Sequence, residues 1–487
     1  MRFVVTPPQR ITREALEQAY LSGIDRVAWP VHSRLDGEEL ILTRSVSESG
    51  ALHIPWPVQG HGTLALSTGS LIERPTPYQL PLELARGTVG QLCEQMADWK
   101  SIGMVVPEAA ETRISEAIAS LSTAAVSQED RSASAERAER TIRIALEAAG
   151  QLARAYVEQA LAVRRRSGAR LPTLLAGDLG VSLPDEATVR QFLPAFNAAR
   201  VPLRWRRIEA SEGSYHWSVA DKQIEWCKAN KLRACGGPLL QLDGRTVPDW
   251  LYLWEGDFDN LLSCVSQFVS ATVKRYRGKV DLWLAAGRTN TAETLSLSEE
   301  QCLRLTARAF EVARSVDPDT PVVVSIDQPW AEYASRREVD FLPLNFADAL
   351  FRSGADISGV VLEVNLGYHP GGTLPRTLLE FNRRLDHWSL LGLPLLVSIT
   401  TSSGRSEDAL ARHSATPPSD STPHWQQAWI ARYLPLILAK SYVIGVIWNQ
   451  LCDGEPHDFP HGGLFDAQGR PKPALQTLAA IRKAYLK

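Results

Sequence analysis

The chain has 487 residues, 44% of them apolar and 22% charged. That balance excludes disordered and fibrous classes, and the length exceeds what one hydrophobic core usually serves, so two domains are expected. A formal charge of −3 gives no basic footprint for nucleic acid or an anionic membrane surface, and no run approaches the roughly 18 apolar residues of a membrane helix. The six cysteines (Cys93, Cys227, Cys235, Cys264, Cys302, Cys452) contain no C-x-x-C pair. This fits free thiols in a reducing compartment better than disulfides or a zinc site, and with no apolar leader after Met1 the expected location is cytoplasmic. No Gly-rich phosphate loop and no G-x-S-x-G is present, so no cofactor is expected and kinase and lipase chemistries are set aside. The 14 tryptophans tilt the reading toward carbohydrate, because flat aromatic faces stack on sugar rings.

In chain order, a first α+β domain is expected over residues 1–170. A helix opens near Thr12. The segments Glu39 to Thr43, Ala51 to Trp56 and Gly62 to Leu66 then alternate apolar and polar residues between turn formers, as β-hairpins do. Helical spacing follows over Leu82 to Ile102 and Thr112 to Ala125. The stretch Ser134 to Arg166 places Ile142, Ala145, Ala149, Leu152, Tyr156, Ala160 and Val163 on one face. It reads as one long helix, either packed on its neighbours or forming a seam between two copies of the chain. Its basic end, Arg164 to Arg166, complements the helix dipole.

After Gly168 apolar strands alternate with amphipathic helices. Eight strands are expected: Thr173 to Leu175, Ala199 to Leu203, Leu232 to Cys235, Val280 to Leu284, Val322 to Ile326, Gly359 to Val364, Leu395 to Ile399 and Val443 to Trp448. Helices lie between them, one opened by the capping box Ser298 to Gln301. Eight such units over residues 171–487 predict an α/β fold, a (β/α)8 TIM barrel, with chemistry at the carboxyl ends of the strands. The longest irregular stretch, Thr400 to Pro423, follows the seventh strand and reads as a lid over the cleft.

The run from Leu203-Arg204-Trp205 through Ile208-Glu209, Gly213 and Trp217 to Ala220-Asp221 resembles family 10 glycoside hydrolases, the xylanase family. Matching segments follow in order: Pro248-Asp249-Trp250, Trp283, Trp448, Gly463-Leu464-Phe465-Asp466 and Pro471-Lys472-Pro473-Ala474. The resemblance covers residues 171–487 and implies a sugar-hydrolase barrel acting on an oligo- or polysaccharide. It also implies where two glutamates should stand. Laid on this chain, the acid/base position falls on Arg288 after Gly287, the nucleophile position falls on Thr401, and a cleft histidine is replaced by Gly237. Arginine cannot give up a proton near neutral pH and threonine is a poor substitute nucleophile, so the family's double displacement is not expected here.

Two other carboxylates sit at strand ends, Asp327 on the fifth and Glu363 on the sixth. They could divide acid and base roles if burial separates their pKa values; the alternative is that Glu363 forms an ion pair with Arg204 or Arg288. The expected sugar-binding residues are Arg204, Glu209, Arg288, Trp330, Tyr368, Trp448, Asp453 and His457. Arg204 and Arg288 together would grip the carboxylate or sulfate of an acidic sugar. The cluster Asp453, Glu455, His457, Asp458 and His461 is interrupted by Pro456 and Pro460, so a hydrogen-bonded loop is expected there and no metal site. Three functions stay open: glycoside hydrolysis by a rewired carboxylate set, a silent sugar-binding or scaffold barrel, and, more weakly, a metal-dependent hydrolase around His457.

Overall fold

The computed structural model describes residues 1–165, 168–292, 294–412 and 417–487. Arg166, the last residue of the expected long helix, and residues 413–416 of the long loop lie outside the described residues. The chain divides into two compact units. One comprises Met1–Arg166 with Trp330–Glu338 and Leu374–His387, and the other comprises Ser167–Pro329, Val339–Thr373 and Trp388–Lys487.

The first unit holds two four-stranded sheets. One orders His32–Asp36, Glu39–Thr43, Arg2–Val4 and Tyr78–Gln79, and the other Ala28–Trp29, Tyr20–Ser22, Ala51–Val58 and Gly62–Ser67. The expected helix start is present, since Thr12 accepts from the Ala15 N–H. Three helices follow, Leu80–Ser101, Glu108–Val126 and Arg131–Arg164, the last opened by Asp130, whose side chain accepts from the Ala133 N–H. Ile142, Ala145, Ala149 and Leu152 are buried in this unit's own cores, whereas Val163 is exposed. Most of the face that could have formed a seam between two chains is therefore covered from within, because alanines let neighbouring helices approach closely. The same logic places Gly87 against the first unit's sheet, where a Cβ would meet the Ser67 carbonyl oxygen at 1.9 Å.

The second unit is a closed parallel barrel. Its strands are β1 (Leu174–Asp178), β2 (Ala198–Val201), β3 (Arg233–Gly236), β4 (Leu282–Gly287), β5 (Val322–Asp327), β6 (Gly359–Leu366), β7 (Leu395–Thr401) and β8 (Val443–Trp448). Each pairs in parallel with its neighbours, β8 with β1, and β3 closes on β4 through Cys235↔Leu282 and Gly236↔Trp283. The Ser298 capping box is formed as expected.

Strand alternation explains what fills the barrel. Leu174 and Ala176, Ala198, Leu282 and Leu284, Val323, Val361, Leu396 and Ile447 form one apolar cluster. Two residues further along the same strands the sequence turns polar: Asp178, Arg200, Ser325, Glu363, Ser398 and Asn449. Because side chains two apart share a face, an apolar plug grades into a polar layer at the carboxyl end.

Candidate functional site

The polar layer is built by register. Asp327 on β5 lies directly opposite Glu363 on β6, Glu363 opposite Ser398, and Arg200 opposite Asp178. Arg200 donates to Asp178 through Nε and to Asn449 Oδ1 through Nη1 at 2.9 Å. Asn449 Nδ2 reaches Asn365 Oδ1 at 3.5 Å, and Asn365 Nδ2 spans Asp327 Oδ1 at 3.5 Å and Glu363 Oε1 at 3.3 Å. One amide nitrogen thus bridges the two carboxyl groups. The sum of its two distances limits their oxygens to a separation of about 6.8 Å.

Arg288 completes the layer. Its Nε and Nη2 donate to Glu363 Oε1 at 3.0 and 2.5 Å, and its Nη1 stands 2.9 Å from Asp458 Oδ2 and 3.8 Å from Asp243 Oδ2. The backbone is held in an unusual shape at both edges of this group. Arg288 has φ +55° and Gln328, immediately after Asp327, has φ +45°. Left-handed backbone at a non-glycine residue costs on the order of 1–2 kcal/mol, so the surroundings must impose it.

Asp327 accepts from Thr291 Oγ1 at 3.1 Å and Gln328 Nε2 at 3.2 Å, while Asn290 holds its backbone through both N–H and C=O. Burial, and next the charge of Glu363, push its carboxyl up to about 7. Asp327 therefore keeps its proton to a higher pH than an ordinary aspartate, as a proton donor requires.

A cavity of about 290 Å³ opens over this layer, lined by Arg200, Arg204, Arg288, Asn449, His457 and Asp458 among others. A second of about 40 Å³ shares Arg200, Arg204, Arg288 and Asp458 with it and reaches Glu363 and Arg412. Of the residues expected from sequence, Arg204, Arg288, Glu363 and His457 line these cavities, and Asp327 lies directly beside Glu363. Glu363 does form an ion pair, with Arg288 of the two partners named from sequence.

Several expected sugar contacts are placed otherwise. Glu209 is 4% exposed and accepts from Trp205 Nε1 at 2.7 Å and the Gly213 N–H at 2.8 Å, so its carboxylate folds its own loop. Trp330 is buried in the first unit, edge-on to Phe381, and offers no stacking face. Tyr368 is buried against Phe459 with its hydroxyl on the Pro460 carbonyl, and Trp448 donates its indole N–H to the Gly462 carbonyl. Asp453 is held by Lys472 Nζ at 2.5 Å and by the Gly463 N–H, away from the cavity walls. For Glu209, Tyr368, Trp448 and Asp453 the hydrogen-bonding tip is matched inside the fold, which removes it from the surface a ligand meets, and Trp330 is removed by burial alone.

The long loop after β7 is tied to the loop after β8. Asp408 accepts from His457 Nε2 and from the His461 N–H, each at 3.0 Å, and Ala411 bridges to His457. Among the described residues no group of His, Cys, Asp and Glu could hold a metal ion, which leaves the weak metal-hydrolase reading without ligands there. Sequence reading missed Asp178, Arg200, Asn365, Asn449 and Arg412. The first four were available from strand alternation, two positions beyond the apolar plug or at the next inward position.

An apolar-bottomed, polar-topped parallel barrel with carboxylates on neighbouring strand ends belongs to the class of barrels that carry their chemistry at the carboxyl-terminal face. Comparison with known proteins adds a sequence match: residues 197–326 match the model of Glycosyl hydrolase family 10. The chain is 24% identical over 313 residues to endo-1,4-beta-xylanase C of Paenibacillus barcinonensis, covering 56% of this chain and 27% of that protein. It is 20% identical over 146 residues to endo-beta-1,4-xylanase Xyn10C of Cellvibrio japonicus, covering 28% and 24%. The chain thus spans about a quarter of the length of these curated relatives. Xylanase 10B of Thermotoga petrophila RKU-1, solved with xylobiose, shares the barrel fold at a TM-score of 0.50 and 17% identity, covering 67% of this chain and 97% of that one.

Proposed function

We propose that this protein hydrolyses O-glycosidic bonds in a β-linked oligo- or polysaccharide, with Asp327 and Glu363 as its carboxyl pair. The observation that carries the reading is the carboxyl pair itself, Asp327 directly opposite Glu363 at neighbouring strand ends, with burial and the charge of Glu363 raising the carboxyl of Asp327. In this reading Asp327 gives its proton to the leaving oxygen as the bond from the anomeric carbon breaks. Glu363 takes a proton from the water that attacks that carbon, so the sum is addition of one water. The names of the curated relatives, both xylanases, support a β-1,4-linked glycan as the first substrate to try. The motif alignment, which sets Arg288 and Thr401 where family 10 carries its glutamates, is the reason for naming a different pair.

A second reading is favoured by one specific contact. Arg288 holds Glu363 through two nitrogens inside a closed polar layer, and a carboxylate so engaged is not free to take a proton. Binding of glycan without turnover follows if that lock persists with ligand bound.

One experiment separates them. Neutral and acidic oligosaccharides are tested for binding by calorimetry and for cleavage by reducing-end release on the same preparation. Hydrolysis that falls roughly 10²- to 10⁴-fold in Asp327→Asn and in Glu363→Gln supports the first reading. Binding with no reducing ends released by the unmodified protein overturns it and carries the second.

A further inference from the structure

The walls of the larger cavity are charged, and almost every charge is already matched. Asp178 accepts from Arg200, Asp185 from the Thr188 N–H, Glu455 from the Val181 N–H and the Ser182 hydroxyl, and Asp458 pairs with Arg288. Arg200 and Arg288 are matched by the same pairs. Arg204 is the exception on this wall, since its buried Nη1 meets no acceptor among the described residues.

The surroundings of Arg204 add to the imbalance. It lines the smaller cavity too, together with Arg245 and Arg412 and opposite the carboxylates Asp243 and Asp458. Burial, and then the charge of Arg204, hold Arg207 and Arg412 below the usual guanidinium value. Like charges gathered at a partly enclosed mouth, with a buried donor left over, are stabilised by an anion. A guanidinium fork fits planar or tetrahedral oxyanions through two parallel hydrogen bonds. Arg288, which the sequence suggested as the second half of such a grip, is unavailable because Glu363 and Asp458 already occupy it.

We propose that Arg204, backed by Arg412, binds the anionic substituent of a glycan, a carboxylate or a sulfate, so that this cleft selects acidic over neutral sugars. The inference rests on the glycan reading above and deepens it by naming the substrate class. A cavity of about 290 Å³ is near the lower end of small-molecule sites, which suits one substituted portion of a glycan better than a long stretch of chain.

The test is calorimetric titration of the full chain with five probes. These are a xylo-oligosaccharide bearing one glucuronic acid, the same oligosaccharide without it, a sulfated oligosaccharide of equal length, free glucuronate, and inorganic sulfate. The expected result is that one of the two acidic oligosaccharides binds roughly tenfold to a hundredfold more tightly than the neutral one. That preference is lost in Arg204→Gln and reduced in Arg412→Gln. Arg204→Lys, with its thermal melt recorded, separates a lost contact from a misfolded barrel. Equal binding of acidic and neutral oligosaccharides overturns the inference and leaves the glycan reading standing. Binding of free glucuronate or sulfate with no oligosaccharide bound overturns the glycan reading and this inference with it, as does binding of no probe.

Discussion

Arg288 places two nitrogens on one oxygen of Glu363, at 3.0 and 2.5 Å, and its third nitrogen 2.9 Å from Asp458. The pair joins β6 to the end of β4 across the barrel mouth. Removing one partner leaves the other charge buried without compensation, which is costlier than never having had the pair. Arg288→Ala is therefore expected to lower the stability of the barrel by about 3–5 kcal/mol, and Arg288→Met combined with Glu363→Gln by much less. Denaturant unfolding of the single and double variants measures this directly. Equal losses in both would show that an uncompensated charge is not what destabilises the single variant.

The raised carboxyl of Asp327 makes a pH prediction with a definite sign. Its folded value, about 7, lies above the unfolded value near 3.9, so between those limits the folded chain holds a proton that the unfolded chain releases. Stability from this group is present in full below about pH 4 and is lost as pH rises to about 7. Asp327→Asn has no such proton. Relative to the unmodified protein it should gain stability across that window, on the order of a few kcal/mol, and the difference should be level above about pH 8. Thermal melts at matched pH values test it, and a difference that does not change with pH would remove Asp327 as the titrating group.

Much of the barrel was legible because its signals are local. β8 falls at the expected bounds, and β5, β6 and β7 differ only by extending one or two residues past their expected ends. Those extra residues carry members of the polar layer, since Asp327 closes β5 and Asn365 lies near the end of β6. Asp327 and Glu363 were found because carboxylates in apolar strands stand out. The aromatic residues misled because sequence cannot say which way a ring faces: Trp448 and Tyr368 are on the right elements but turned inward to carbonyl partners. The ion pair of Glu363 was raised with two partners, Arg204 or Arg288, and no local pattern could choose between them; the structure has Arg288, 75 positions away. That Trp330 and the segment 374–387 belong with residues 1–166 was likewise hidden, because no local pattern marks it.

Within the first unit, Glu380 is a buried junction of three arginines. Arg26 stands at 2.5 Å, Arg384 at 2.9 Å and Arg376 at 3.9 Å. Against its burial, the charges of Arg384, Arg26 and Arg376 hold Glu380 down to about 2. A depressed carboxylate contributes stability that is present above its unfolded value near 4.3 and is lost as pH falls from there through about 2. Glu380→Gln should cost about 3–5 kcal/mol at neutral pH and flatten the acid limb of the unit's unfolding curve. Circular dichroism during acid titration reads both effects, and an unchanged acid limb would assign the acid sensitivity to other carboxylates.

Asp408 is a main clasp of the loop after β7. His457 presents Nδ1 to the Glu455 carbonyl at 2.7 Å and Nε2 to Asp408 at 3.0 Å, and the His461 N–H donates to the same Asp408 oxygen. These ties act beside those of Ser403 and Ser406 to His461, and hydrogen bonds to a charged group contribute about 1.5–3 kcal/mol each. Asp408→Ala removes two of them at once and leaves His457 without its carboxylate. Local opening rises by the Boltzmann factor of the lost energy, so at least tenfold faster trypsin cleavage after the exposed Arg405 is expected, with the global melting temperature little changed. If the loop is a lid over the cavity, glycan binding should also weaken in this variant, because an open loop must be reordered on binding. Faster cleavage with unaltered binding would keep Asp408 as a clasp for the loop and remove the loop from recognition.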